Sequence, residues 1–210
     1  MGRIREISRT PITKRKRNPV IYLICEGSET EIKYFKNFRS RGCNIDIIPI
    51  PSQYKAADKL VQKIKATLGF SPYYPVDGDK IWCVFDRDDN TNEMLDKARS
   101  IAEREGYEIA FSNPSFEIWF LLHYCNQLTA VEDCHEAIKL LKKKGRLENY
   151  AKNIDIYAQL KPLQPYAIKR ARKLIEQQKN THKPILSRNS NPITTVSELV
   201  VFLNDKASIT

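Results

Sequence analysis

The chain has 210 residues, 41% of them hydrophobic and 29% charged, which suits one sizeable globular domain with an ordinary core. Its 35 Lys and Arg against 25 Asp and Glu leave a formal net charge of +10, an argument for an acidic partner such as a phosphate backbone and none about fold. Cys25, Cys43, Cys83, Cys125 and Cys134 are scattered without Cys-x-x-Cys spacing, which speaks against a zinc site or a disulfide framework. No apolar run approaches the length of a membrane span and none follows the basic N-terminus as a leader would, so cytoplasmic residence without a membrane is expected.

Residues 1–18 carry seven Lys or Arg, ending in Lys14, Arg15, Lys16 and Arg17, and read as a solvated arm able to lie on nucleic acid. Residues 20–25 form an apolar run that reads as a strand, followed by a helix over about 28–39 with Ile32, Phe35 and Phe38 on one face. Ser28 and Glu31 have the spacing of a capping box for that helix. A strand near 45–50 ends at Pro51, and Leu60, Val61, Ile64 and Leu68 recur at helical spacing over 56–68. Pro72, Pro75 and Gly78 make 70–79 a loop. A strand at 80–86 precedes a helix over 92–105 that Gly106 terminates, then a strand at 107–111. Asn113 and Pro114 read as N-cap and first residue of a helix through Tyr124 that is apolar on nearly every side, and therefore deeply packed. From residue 130 onward only helices are expected, near 131–144, 154–160, 165–178 and 194–203. This order predicts an α/β core over about 19–126, with a mostly parallel sheet flanked by helices, and a helical C-terminal part over about 127–205 of the same domain.

Two of these strands carry the chemistry. The first runs through Cys25 into Glu26-Gly27; the second runs through Phe85 into Asp86-Arg87-Asp88. Unalternating apolar runs suit strands covered on both faces, and both would deliver their acids at the C-terminal edge, where open α/β sheets bind ligands. Glu26, Asp86 and Asp88 brought together there repel one another unless a cation is present, and hard oxygen donors favour Mg²⁺ or Mn²⁺.

The pattern of Glu-Gly after an early strand and Asp-x-Asp after a later one resembles the TOPRIM domain of topoisomerases, primases and OLD-type nucleases. Four blocks resemble the RloB family more closely: Cys25 to Phe35, Phe85 to Asp88, Ser112 to Trp119, and Asn191 to Val196. That resemblance implies a TOPRIM-like, metal-dependent nuclease acting on DNA or RNA, tRNA included, in phage-defence or abortive-infection loci. It also implies an ATPase from a neighbouring gene as partner. This chain has no Walker motif of its own, since the stretch after Gly27 lacks the Gly-Lys-Ser/Thr ending.

On this reading Glu26 is a metal ligand or an acid/base group toward the scissile phosphate, with Gly27 permitting a close turn. Asp86 and Asp88 are metal ligands. Glu31 either joins them or completes the capping box. Asn113 and Glu117 mark a strand-to-helix junction able to face phosphate, or Glu117 complements the helix dipole. His123, six residues past Glu117, falls on another face and reads as a packed core histidine. Lys169, Arg170, Arg172 and Lys173 lie on one amphipathic helix, either a solvated face or a phosphate-tracking surface. The loop over 188–192 has a weak claim to return to the site. Two other functions remain open: a haloacid-dehalogenase-like phosphatase with Asp86 as nucleophile and Asp88 as acid/base, and a nucleic-acid-binding subunit that keeps its metal but does little chemistry. Homo-oligomers are compatible with any of these.

Overall fold

The computed structural model describes residues 18–38, 45–69, 78–126 and 128–208; the arm residues Lys14, Arg15, Lys16 and Arg17 lie outside them. Five strands form one sheet in the order β2-β1-β3-β4-β5. β1 (Val20–Cys25), β2 (Asp46–Pro51), β3 (Lys80–Asp86) and β4 (Glu108–Asn113) pair in parallel, and β5 (Ile193–Thr194) pairs antiparallel with the end of β4. Placing β1 between β2 and β3 reverses the direction of winding there, and this is where such sheets open a crevice at their C-terminal edge.

Both faces of the sheet are covered, as the apolar strands require. Ile21, Leu23 and Cys25 of β1, with Trp82 and Val84 of β3, pack against α1 (Thr30–Lys36), α5 (Glu117–Leu121) and α9 (Val196–Ser208). Their neighbours Ile24, Cys83 and Phe85 turn the other way, onto α2 (Ala57–Gln62), the one-turn α3 (Ile64–Thr67) and α4 (Asn92–Glu105). The period-two alternation of a strand thus feeds two apolar layers from one continuous apolar run. α6 (Cys134–Leu141), α7 (Tyr157–Leu160) and α8 (Gln164–Asn180) enlarge the first layer, and Ile175 of α8 reaches the second.

Several local expectations hold and several are corrected. α4 occupies 92–105, with the Thr91 hydroxyl accepting the Met94 N–H and Gly106 in the left-handed region at φ 71°. Ser28 does not cap α1: the helix begins after Glu29 with no side-chain cap, because Glu31 turns into the neighbouring pocket. The helix over 56–68 is broken at Lys63, which separates α2 from α3. Asn113 is no helix cap; it is the last residue of β4, its amide donating to the carbonyls of Ser187 and Arg188, and α5 begins at Glu117. The C-terminal part is not purely helical, since β5 continues the sheet. α5 is buried all round as its composition demands, with Ile118, Trp119, Phe120 and Leu121 at most 1% exposed.

Candidate active site

β1 and β3 run side by side, with Cys25 opposite Val84, so the residues just past their ends meet across the crevice. The Glu26 N–H donates to the Val84 carbonyl at 2.9 Å, and the Asp86 N–H donates to Glu26 Oε2 at 3.1 Å. Glu26 is thereby fixed against the backbone that carries Asp86. The other strand-end acid is held from the opposite side, where the Phe116 N–H donates to Asp86 Oδ2 at 3.0 Å. In the turn that follows, Asn90 Nδ2 donates to the Asp86 carbonyl at 3.0 Å, while Asn90 Oδ1 accepts the Ala57 N–H at 2.7 Å. Asp88 sits in this turn at φ +25°, in the left-handed region that side chains rarely occupy.

These residues surround a cavity of about 470 Å³. Glu26, Glu31, Asp86, Asp88 and Glu117 all line it, together with Lys55 and Lys152. Gly27 has its own reason to be glycine: a Cβ there would fall on the Glu31 carboxylate. Close approach, rather than a positive φ, sets this position. Glu117 is buried, with Tyr150 donating from its hydroxyl to Oε1 at 2.9 Å and the Cys134 thiol 3.6 Å from Oε2.

Burial, with crowding by like charge, raises the proton affinity of Glu26, Glu31 and Asp86. Burial is the main cause at Glu26, reinforced by Asp88 and Glu31 and opposed by the Asp86 N–H and Lys55, and its pKa rises to about 7. Asp86 is pushed well above the carboxylate range by burial first, then by Glu31, Glu117, Glu26 and Asp88. Glu31 is raised by burial and by Glu117 despite its own backbone hydrogen bond, Lys152 and Lys55. Each shift means that the ionised carboxylate is desolvated and crowded by like charge beyond what its hydrogen bonds and the nearby lysines offset.

Such a gathering of acids suits a divalent cation. No three His, Cys, Asp or Glu side chains among the described residues already form a closed chelate. Mg²⁺ does not ask for one, because it keeps several waters and is held through one or two carboxylates plus substrate phosphates. An acid-rich cavity whose metal-binding atoms would be carboxylate oxygens fits such an ion, and Glu26, Asp86 and Asp88 would supply them from the sheet edge.

The expected set is thus brought together: Glu26, Gly27, Glu31, Asp86, Asp88 and Glu117 all line one cavity. Asn113 stands apart from it, tied to the 187–188 loop. His123 packs in the core with Nδ1 2.9 Å from the Trp119 carbonyl, and burial lowers its pKa to about 4. Lys169, Arg172 and Lys173 are exposed on α8 and do not line the cavity, whereas Arg170 Nη1 donates to the carbonyls of Leu122 and His123.

Lys55, Tyr150 and Lys152 were not foreseen. Lys55 lies in the short loop between β2 and α2, past the same sheet edge, and its Nζ donates to the Glu26 carbonyl at 2.6 Å; that position was a usable signal. Lys152 gave none. It comes from the segment over 150–155, which α1 straps down through Lys33 Nζ to the Asn153 carbonyl at 2.8 Å and Asn37 Nδ2 to the Asp155 carboxylate at 3.0 Å. Burial disfavours the Lys152 charge, but Glu117, Cys134 and Asp86 outweigh it and its pKa is raised.

No curated protein and no solved structure matches the chain. The family model described as RloB-like protein matches residues 21–203, a span that holds both sheet-edge acids, the Glu117 junction and the β5 loop. With that span covering most of the molecule, the chain belongs to the RloB-like protein family.

Proposed function

We propose that the protein is a metal-dependent nuclease, hydrolysing phosphodiesters of DNA or RNA as the effector of an anti-phage defence system with a partner ATPase. The observation that carries the chemical part is the meeting of Glu26 and Asp86 at the winding reversal of the sheet, in a cavity that also receives Asp88, Glu31, Glu117 and two lysines. The family membership and its resemblance to TOPRIM enzymes support the defence role and the ATPase.

Glu26, Asp86 and Asp88 would hold Mg²⁺ or Mn²⁺, which when bound supplies Lewis-acid stabilisation of charge on the phosphoryl oxygens. Lys55 and Lys152 offer ammonium groups to the phosphate from the two flanks of the acid cluster, offsetting the repulsion a polyanion would meet there. Alternatively Glu26, whose pKa in the metal-free site is raised to about 7, stays off the metal and takes a proton from attacking water or returns one to the leaving oxygen. The buried Phe116 and the α1–strap contacts wall the cavity against bulk solvent on one side.

Glu26→Gln and Asp86→Asn test the reading because each removes a charge and preserves size. Both variants should fold, with melting temperatures no lower than the wild type in metal-free buffer, since repulsion among the acids is relieved. Cleavage of labelled DNA or RNA with Mg²⁺ or Mn²⁺, alone and with the ATPase, should fall by about 100-fold or more in each. Full activity in both variants would sink the proposal. The phosphatase alternative gives another pattern: Asp86→Asn inactive, Glu26→Gln near normal, and a trappable phosphoaspartate on the wild type.

A further inference from the structure

Arg188 reaches the Asp86–Asn90 turn from a loop one hundred residues downstream of Asp88. Its Nη1 donates to the Asp88 carbonyl at 2.9 Å and to the Asn90 carbonyl at 2.7 Å. The root of the side chain is itself fixed. The Arg188 N–H donates to Asn92 Oδ1 at 2.9 Å, and its carbonyl accepts from Asn113 Nδ2 at 3.1 Å. One anchor is the first residue of α4, directly after the turn; the other is the last residue of β4. The guanidinium therefore grips the turn from a point rigidly tied to the two elements beside it.

The turn needs such a grip for two reasons. Asp88 holds an uncommon backbone conformation at φ +25°, which persists only where surrounding contacts over-determine it. Its carboxylate also lies on a cavity lined by Glu26, Glu31, Asp86 and Glu117, and like charge drives it outward. A cation behind the turn, bonded to the two carbonyls that bracket the bend, opposes both tendencies. Asn90 secures the front of the same turn through its N–H to the Arg87 carbonyl and its side chain to the Asp86 carbonyl.

We infer that Arg188 is a positioning residue: it acts through the backbone of the Asp-x-Asp turn to hold the Asp88 carboxylate in the acidic cavity. For the divalent cation, which rests on the reading above, Arg188 then belongs to the outer contacts that orient a ligand, and losing such a contact costs about 10- to 100-fold in metal affinity. Both bonds leave one terminal nitrogen, so Arg188→Lys, whose ammonium also has donors for two carbonyls, should keep part of the grip that Arg188→Ala loses.

The test uses the full chain with Arg188→Ala, Arg188→Lys, Asp88→Asn and the Arg188→Ala/Asp88→Asn double variant. Mn²⁺ binding by calorimetry should weaken by about tenfold or more in Arg188→Ala, and the double variant should bind no more weakly than Asp88→Asn alone, the non-additivity expected of residues acting as one unit. Amide exchange, read in metal-free buffer, should speed up at Asn90 in Arg188→Ala while the β1 and β3 amides stay protected. Wild-type Mn²⁺ affinity in Arg188→Ala, strict additivity in the double variant, or unchanged exchange at Asn90 would each overturn the inference. A wild-type chain that binds no Mn²⁺ would count against the metal reading instead, and the exchange measurement would still decide the role of Arg188.

Discussion

At the scale of single residues, the site is built by backbone groups that hold acids in place and by lysines that temper them. Glu26 and Asp86 each accept a main-chain N–H, from Asp86 and Phe116 respectively, so neither can swing away without losing a hydrogen bond that fixes it to the backbone. Lys152 has a different standing. It enters the cavity from a strap whose backbone is pinned on α1, and it leaves the sheet-edge acids untouched by covalent neighbourhood. Lys152→Met should therefore preserve the fold and the metal site while cutting turnover on the order of 100-fold at saturating Mg²⁺. Recovery of full turnover simply by adding metal would show that the lysine only neutralises carboxylates. The acids were legible from sequence because each stands at the end of an apolar strand. Lys152 was not, because the contact of Thr30 with its carbonyl spans 122 residues and leaves no local pattern.

Among the elements, α5 shows how composition and tertiary context divide the work. Its all-round apolar surface foretold burial, and Phe116, Phe120 and Tyr34 pack edge to face around its start. Its starting point was not foretold: Asn-Pro carries a helix-start signal, yet Asn113 is claimed by the β4–β5 pairing and by carbonyls of the 187–188 loop. β5, two residues long, is too short to show alternation. His123, just past α5, gives a pH prediction. Its folded pKa of about 4 lies below the 6.5 of an unperturbed imidazole, so the unfolded chain binds the proton first. Stability contributed by the neutral ring is complete above about pH 6.5 and is lost as pH falls toward 4, by up to ~3 kcal/mol. Glu26, raised to about 7, acts in the opposite sense, favouring the folded state below the unperturbed carboxylate range and losing that as pH rises through 7. The histidine effect is thus read as the difference between wild type and His123→Gln in urea unfolding at pH 7.5 and pH 5. The gap between the two proteins should shrink at the lower pH, and a constant gap would contradict the assignment.

For the whole molecule, a net charge of +10 surrounds a cavity that is locally acidic. The excess positive charge must therefore lie on other surfaces, and the proposed polyanion would be drawn to those before its phosphate meets the acids. Lys169 and Lys173 are exposed on α8, while Arg170 is committed to holding the end of α5. Lys169→Glu/Lys173→Glu should weaken binding of unrelated nucleic acids alike and lower the steepness of the salt dependence. Filter binding across a salt series checks this, and an unchanged slope would assign the helix to plain solvation. The architecture itself was readable in outline, since four strand–helix alternations dictate a parallel sheet with covered faces. The loop that returns from beyond α8 to grip the Asp-x-Asp turn was only faintly so, because Arg188 in a polar stretch looks like any solvated arginine.

That returning loop also sets a clock. A ribosome adding about 5–20 residues per second completes Asp88 roughly 5–20 s before Arg188, since the two are separated by 100 positions. The strand-end acids exist throughout that interval without the arginine that steadies their turn, and for much of it without the strap lysine. Nascent chains and chains terminated between these positions accordingly carry the acids without the steadied turn, so a cell making this protein meets the finished site only from chains translated past Arg188.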